Sequence, residues 1–196
     1  MASLDPTAPL VLDTRSLPRR AGSMVTVNRT VPAPADMGVA LARVPEGSPI
    51  ELDLRLESVL EGVLVTGTAD LEIAAECARC LDPLGWHEEI DVTELFSYEP
   101  TNAKGAVVEE EDESDDPLPT LQDDLIDLEP TLRDAVVIDL PMAPLCSDDC
   151  QGLCPECGIR LAAEPGHAHE VTDPRWAALA ALQGDDTSTP SPGDDQ

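Results

Sequence analysis

From Ile50 onward apolar and polar residues alternate one for one: Ile50, Leu52, Leu54 and Leu56 interleave with Glu51, Asp53, Arg55 and Glu57. A period of two is that of a β-strand with one face on a core and the other in water. Glu61-Gly62 offers a turn, and Val63-Leu64-Val65-Thr66 and Leu71 to Glu76 follow as further strand material. Leu81-Asp82-Pro83-Leu84-Gly85 turns the chain again, and Trp86 to Phe96 alternates with Ile90 and Val92 on one side. An antiparallel meander of three or more strands is the economical arrangement. At Leu128 the period changes. Leu128, Leu132, Ala135 and Val136 share one helical face, Pro130 sits in the first turn and Pro141 blocks continuation. Asp173-Pro174-Arg175-Trp176 reads as a second helix start, with Asp173 capping, Trp176, Leu179 and Ala180 as the apolar stripe and Gly184 as the end. The fold class expected is α+β: an antiparallel β-sheet core with a few short helices and a Cys-rich zinc-binding segment.

Stretches without either period set the organisation. Residues 1–22 are Pro-rich and irregular and read as a flexible basic arm; residues 23–183 read as a single α+β domain. Within it, the acidic run Glu109 to Asp116 predicts a disordered loop over about 100–120, because like charges repel and no apolar residues are available to pack. Residues 184–196 read as a disordered tail. A chain of 196 residues suits one domain. With Phe96, Tyr98, Trp86 and Trp176 its whole aromatic complement, the core must be built from Leu, Val, Ile and Ala. No apolar stretch is long enough to span a membrane.

Charge narrows the partners. The formal net charge is -29, and residues 85–129 hold sixteen acids against Lys104 alone. Such a surface repels phosphate, since nucleic-acid binding exchanges counterions for positive side chains. Any direct RNA contact therefore falls to Arg15, Arg19, Arg20 and Arg29 near the amino terminus. The acidic face suits a basic protein partner, although a merely solvated face is the plainer reading.

The candidate chemistry lies in six cysteines and two histidines: Cys77 and Cys80, then Cys146, Cys150, Cys154 and Cys157, then His167 and His169. A Cys-x-x-Cys turn aims two thiolates at one point, the bite of a tetrahedral zinc ion. Met1-Ala-Ser-Leu-Asp-Pro6 has neither a basic start nor a long apolar run, so a cytoplasmic, reducing setting is expected, where this spacing favours metal over disulfides. One or two structural zinc ions are expected. Two partitions stay open: Cys77, Cys80, Cys154 and Cys157 around one ion with Cys146, Cys150, His167 and His169 around another, which we prefer, or Cys146, Cys150, Cys154 and Cys157 together. Sites closed by four side chains stabilise and do not catalyse, so no enzyme and no small-molecule substrate are expected. Two alternatives from other classes are a zinc-dependent enzyme on a nucleobase-like substrate, for which His87-Glu88-Glu89 is the weak look-alike, and a thiol redox sensor. There is no phosphate loop, dinucleotide glycine pattern or nucleophile elbow.

Glu76-Cys77-Ala78-Arg79-Cys80-Leu81, Ile126-Asp127-Leu128-Glu129-Pro130, Leu140-Pro141-Met142, the run from Cys146 to Gly158, and Asp173-Pro174-Arg175 together resemble the YceD family of bacterial proteins linked to accumulation of large-subunit ribosomal RNA. Asp13-Thr14-Arg15 and Arg19-Arg20-Ala21-Gly22-Ser23-Met24 look like its actinobacterial branch. Many members carry Cys-x-Cys where this chain has His167-Ala168-His169, a change that keeps ligand chemistry. The resemblance implies a non-enzymatic role in ribosome assembly, exerted on a ribosomal protein or on a large-subunit ribosomal RNA precursor.

Overall fold

The computed structural model describes residues 4–98 and 118–169 and divides into two compact units, one through Cys150 and one from Gln151. The first unit contains strands β1 (Val11–Asp13), β2 (Met24–Pro32), β3 (Ala42–Arg43), β4 (Pro49–Ser58), β5 (Gly62–Glu76), β6 (Pro83–Ser97) and β7 (Leu125–Asp127), followed by helix α1 (Glu129–Asp139). All pairings between these strands are antiparallel. β2 lies beside β4, β4 beside β5, β6 runs along the whole of β5, and the short β3 pairs with the far end of β5. A separate two-stranded ladder joins β1 to β7, with Leu12 opposite Ile126.

The alternation at Ile50 produces the expected division of faces. Ile50, Leu52, Leu54 and Leu56 are buried, and so are Val63, Val65, Ala69, Leu71 and Ile73 of β5 and Ile90, Val92 and Phe96 of β6. Burial of each large aliphatic side chain contributes ~1.5–3 kcal/mol, and this face is the main source of stability in the first unit. α1 closes the core with Leu132 and Val136. Its first amide, that of Glu129, donates to the Asp127 carboxylate at 3.1 Å. Arg133 pairs with Glu129 one turn earlier at 2.7 Å and donates to the Ala35 and Asp36 carbonyls, fastening the helix to the loop after β2.

Several expectations need correction. The two strand pieces on either side of Gly67 are one continuous strand of 15 residues. Gly67 interrupts the apolar pattern because β4 runs too close for a side chain: with φ at +150°, a Cβ there would lie 2.0 Å from the Asp53 carbonyl oxygen. Residues 1–22 are not a free arm over their described part. Leu10, Leu12 and Leu17 are buried in the core, and Thr14 donates from both its amide and its hydroxyl to the Asp124 carbonyl at 2.9 and 2.8 Å. A three-residue strand whose partner lies more than a hundred residues later leaves no local periodic signal. Among the described residues there is one helix, not several, and no helix long and apolar enough to cross a membrane. The acidic run, the helix start at Asp173 and the tail 184–196 lie outside the described residues.

Candidate metal centres

The Cys-x-x-Cys turn at 77–80 caps the hairpin between β5 and β6. The Cys77 amide donates to the Asp82 carbonyl and the Leu81 amide to the Cys77 carbonyl, both at 2.8 Å, and Leu81 takes the left-handed conformation with φ at +60°. After α1 the chain returns to this turn, where the Ala78 amide donates to the Pro144 carbonyl at 2.8 Å. That crossing delivers Cys146 and Cys150. The sulfurs of Cys77 and Cys150 lie 3.8 Å apart and those of Cys80 and Cys146 3.7 Å apart, and all four fall within 4.8 Å of one another. With Zn–S bonds of about 2.3 Å, the edge of a zinc–thiolate tetrahedron is about 3.8 Å, so these sulfurs have the spacing a zinc ion requires.

Electrostatics leads to the same conclusion. The amide of Cys80, then that of Cys146, hold the Cys77 thiol down at about 6, so it ionises readily. Burial pushes the Cys80 thiol up, and the hydrogen bond with Cys150 pushes the Cys146 thiol up. Four thiolates at this spacing repel one another, and a divalent cation is the group that lets all of them ionise together. The Arg79 guanidinium donates to the Cys150 carbonyl at 2.9 Å and the Asp148 carbonyl at 3.2 Å, adding a positive charge beside a cluster that keeps excess negative charge even with a dication bound.

The second unit carries the other four candidates. Its knuckle is Cys154-Pro155-Glu156-Cys157, in which the Gly158 amide donates to the Cys154 carbonyl and the Cys154 amide to the Ile159 carbonyl, both at 2.8 Å. Gly158, with φ at +73°, lets the turn close. The amides of Cys157 and Glu156 lower the Cys154 thiol. Cys157 Sγ lies 3.3 Å from His167 Nε2 and 3.2 Å from His169 Nε2, and the two imidazole nitrogens are 2.9 Å apart. Tetrahedral edges involving zinc-bound nitrogen run from about 3.3 to 3.6 Å, so the donor set fits once the imidazoles part by a few tenths of an ångström.

Both partitions drawn from sequence are therefore replaced by a third. The structure brings together Cys77, Cys80, Cys146 and Cys150, and separately Cys154, Cys157, His167 and His169. In the second set the knuckle and the His-x-His pair are joined by a short loop, a proximity to which the preferred partition gave no weight. Nothing local indicated that α1 would bring Cys146 to Cys80. His87 belongs to neither cluster; it stands exposed on the sheet, 3.9 Å from Asp70.

The arginines expected to face RNA are mostly engaged within the first unit. Arg15 pairs with Asp13, and Arg19 pairs with Asp124 while its guanidinium lies 4.8 Å from the Tyr98 ring centre. Arg29 donates to the Val11 carbonyl at 3.0 Å, half-buried, and burial lowers its pKa. Arg20 is exposed. Tyr98 and Asp124, which hold Arg19, carried no sequence signal.

A family model described as large ribosomal RNA subunit accumulation protein YceD matches residues 65–183. The chain belongs to the YceD family. Its turn at 77–80, the returning segment at 146–150 and the knuckle at 154–157 all lie inside the matched span. YceD relatives include an uncharacterized protein of Mycobacterium tuberculosis, 45% identical over 182 residues, or 93% of this chain and 85% of the relative. A Mycobacterium leprae protein is 42% identical over 187 residues, covering 95% and 83%. The more distant YlbN of Bacillus subtilis is 28% identical over 138 residues, covering 69% and 74%. The mycobacterial relatives agree with the actinobacterial character of the amino-terminal motifs. No solved structure matches.

Proposed function

We propose that this YceD protein is a non-enzymatic, cytoplasmic ribosome-assembly factor that supports large-subunit ribosomal RNA by holding a basic ribosomal protein or an assembly intermediate. Two structural zinc ions, one in each cluster, fasten it. The observation carrying the partner's chemistry is the outer face of the sheet. There the register sets Glu51, Asp70 and Glu89 directly opposite one another across β4, β5 and β6, and the next row sets Asp53 and Asp91 on either side of Thr68. All five carboxylates are exposed, and the rows on either side add Arg55 and His87 as the basic groups. Like charges directly opposite in a sheet cost ~0.2–1 kcal/mol per pair, a cost that a cationic partner removes on binding.

Each cluster supplies four protein ligands, the closed coordination of a structural site, which supports a scaffold over a zinc enzyme. RNA contact by Arg15, Arg19, Arg20 and Arg29 has a minor part in this reading, because three of the four already serve the first unit. The test is affinity capture of the tagged full chain from its own cell lysate. A basic large-subunit ribosomal protein or precursor large-subunit particle is expected in the eluate, together with a fall in large-subunit relative to small-subunit ribosomal RNA when the protein is depleted. Recovery of neither, with the RNA ratio unchanged, overturns the proposal.

A further inference from the structure

We propose that the open edge of β6, with the groove between it and α1, receives an extended segment of a partner protein in which basic and apolar residues alternate, paired to β6 as an added strand. This deepens the reading above by naming the docking surface and the pattern it takes. The Ser97 amide donates to the Pro119 carbonyl at 2.8 Å and the Leu121 amide to the Ser97 carbonyl at 2.9 Å, so the backbone of Ser97 points away from β5. Alternation along an antiparallel strand directs the backbone groups of Leu95, Thr93, Asp91 and Glu89 the same way. Among the described residues, pairing on that side is limited to the bridge between Ser97 and Thr120. A row of donors and acceptors is thus left to face outward.

Beside this edge runs a groove of about 440 Å³ between β6 and α1, ending at Leu118 and Pro119. Its apolar wall includes Ile138, 84% exposed, and Leu118, 48% exposed. The charged groups among its described lining residues are Asp91, Glu94 and Asp134, with no lysine or arginine among them. A strand laid along β6 would set alternate side chains beside Glu89 and Asp91 on the outer face, where basic residues are favoured, and the others toward Ile138, where apolar ones are. The same charges select against other occupants. A second copy would bring its own Glu89 and Asp91 to the edge, and the chain's own acidic run, Glu109 to Asp116, would meet Asp91, Glu94 and Asp134.

The probe is a fluorescent synthetic peptide of about ten residues alternating lysine and valine, with an alternating glutamate and valine peptide and a block lysine–valine peptide as controls. Binding to the full chain is read by anisotropy, and backbone protection by hydrogen exchange. The alternating lysine peptide is expected to bind and to slow exchange at Glu89, Asp91, Thr93 and Leu95, while the glutamate peptide does not bind and the block peptide binds without that protection. Thr93→Pro removes an outward amide without touching the ladder to β5 and should weaken binding about tenfold or more. The surface pair Asp91→Lys and Asp134→Lys should do the same with the unfolding temperature unchanged. Full binding by either variant, or equal binding of the glutamate peptide, overturns the proposal. So does a wild-type dimer that Thr93→Pro dissolves, which would assign the edge to a second copy. Peptide binding with an empty lysate capture keeps the docking surface and removes the ribosomal partner; a loaded capture undiminished by Thr93→Pro does the reverse.

Discussion

The two cysteine clusters reach the same chemistry by opposite routes. In the first, the sulfurs that approach one another are 66 and 73 residues apart in sequence; in the second, Cys157 meets imidazoles 10 and 12 residues away. Closing the longer loop in an unfolded chain costs ~1.6 kcal/mol more, by the logarithmic dependence on loop length. The sheet and α1 supply that closure, and their core already stands on Leu54, Leu56, Phe96 and Leu132. Among the described residues the second cluster has no such support. Among residues 151–169 only Gly152 and Cys154 are buried. A metal in the first unit would therefore reinforce a structure that exists, whereas a metal in the second would order residues 151–169.

Metal removal should break this comparison most visibly. With a chelator, residues 151–169 are expected to lose all hydrogen-exchange protection, because ~10–16 kcal/mol of zinc binding would be their main source of order, while β5 and β6 stay protected. Equal protection of both regions with and without chelator would end the distinction. A smaller effect is expected from Cys77→Ser. Native mass spectrometry should show one ion lost and one retained, and urea denaturation should show the first unit destabilised by ~2–5 kcal/mol, the range for losing a long-range crosslink. Loss of both ions together would show that the clusters are not independent.

Arg79→Gln sharpens the comparison further. It removes the donor to the Cys150 and Asp148 carbonyls, and competition with a chelator should show the first ion held about tenfold more weakly and the second unchanged. The smallest effect concerns pH in the metal-free protein. Cys77 has its folded pKa lowered from 9.0 to about 6, so its contribution is present above 9 and is lost as pH falls through about 6. The raised thiols of Cys80 and Cys146 act with the opposite sign, contributing below 9 and losing that contribution as pH rises through their folded values. The urea midpoint of the chelated first unit should therefore rise between pH 6 and pH 8; a falling midpoint would contradict the ionisation pattern of the cluster.

The legibility of the chain follows the range of its interactions. β4 and α1 could be read directly, since Ile50 to Glu57 and Leu128 to Val136 carry their periods in consecutive residues. The apolar pattern of β5 breaks at Gly67, which gives up its side chain to the close approach of β4. β1 is not legible in the sequence, because three residues carry too little pattern and its partner is the distant β7. All eight ligand candidates were recognisable by residue type and spacing, but their division was not. A Cys-x-x-Cys turn states that two sulfurs share an ion and says nothing of which other two complete it.

By itself, then, the order of residues determined what each segment prefers: alternating strands, a helix opened by Pro130 and stopped by Pro141, thiols paired on turns, and an excess of acid. Those preferences are local, set by backbone sterics and by the period at which side chains meet water. Tertiary structure alone decided that Pro144 meets Ala78 and so completes the first cluster, and that Glu51, Asp70 and Glu89 fall in one row. Both depend on strand register and on the path of the chain after α1, which are settled by burying the whole core at once.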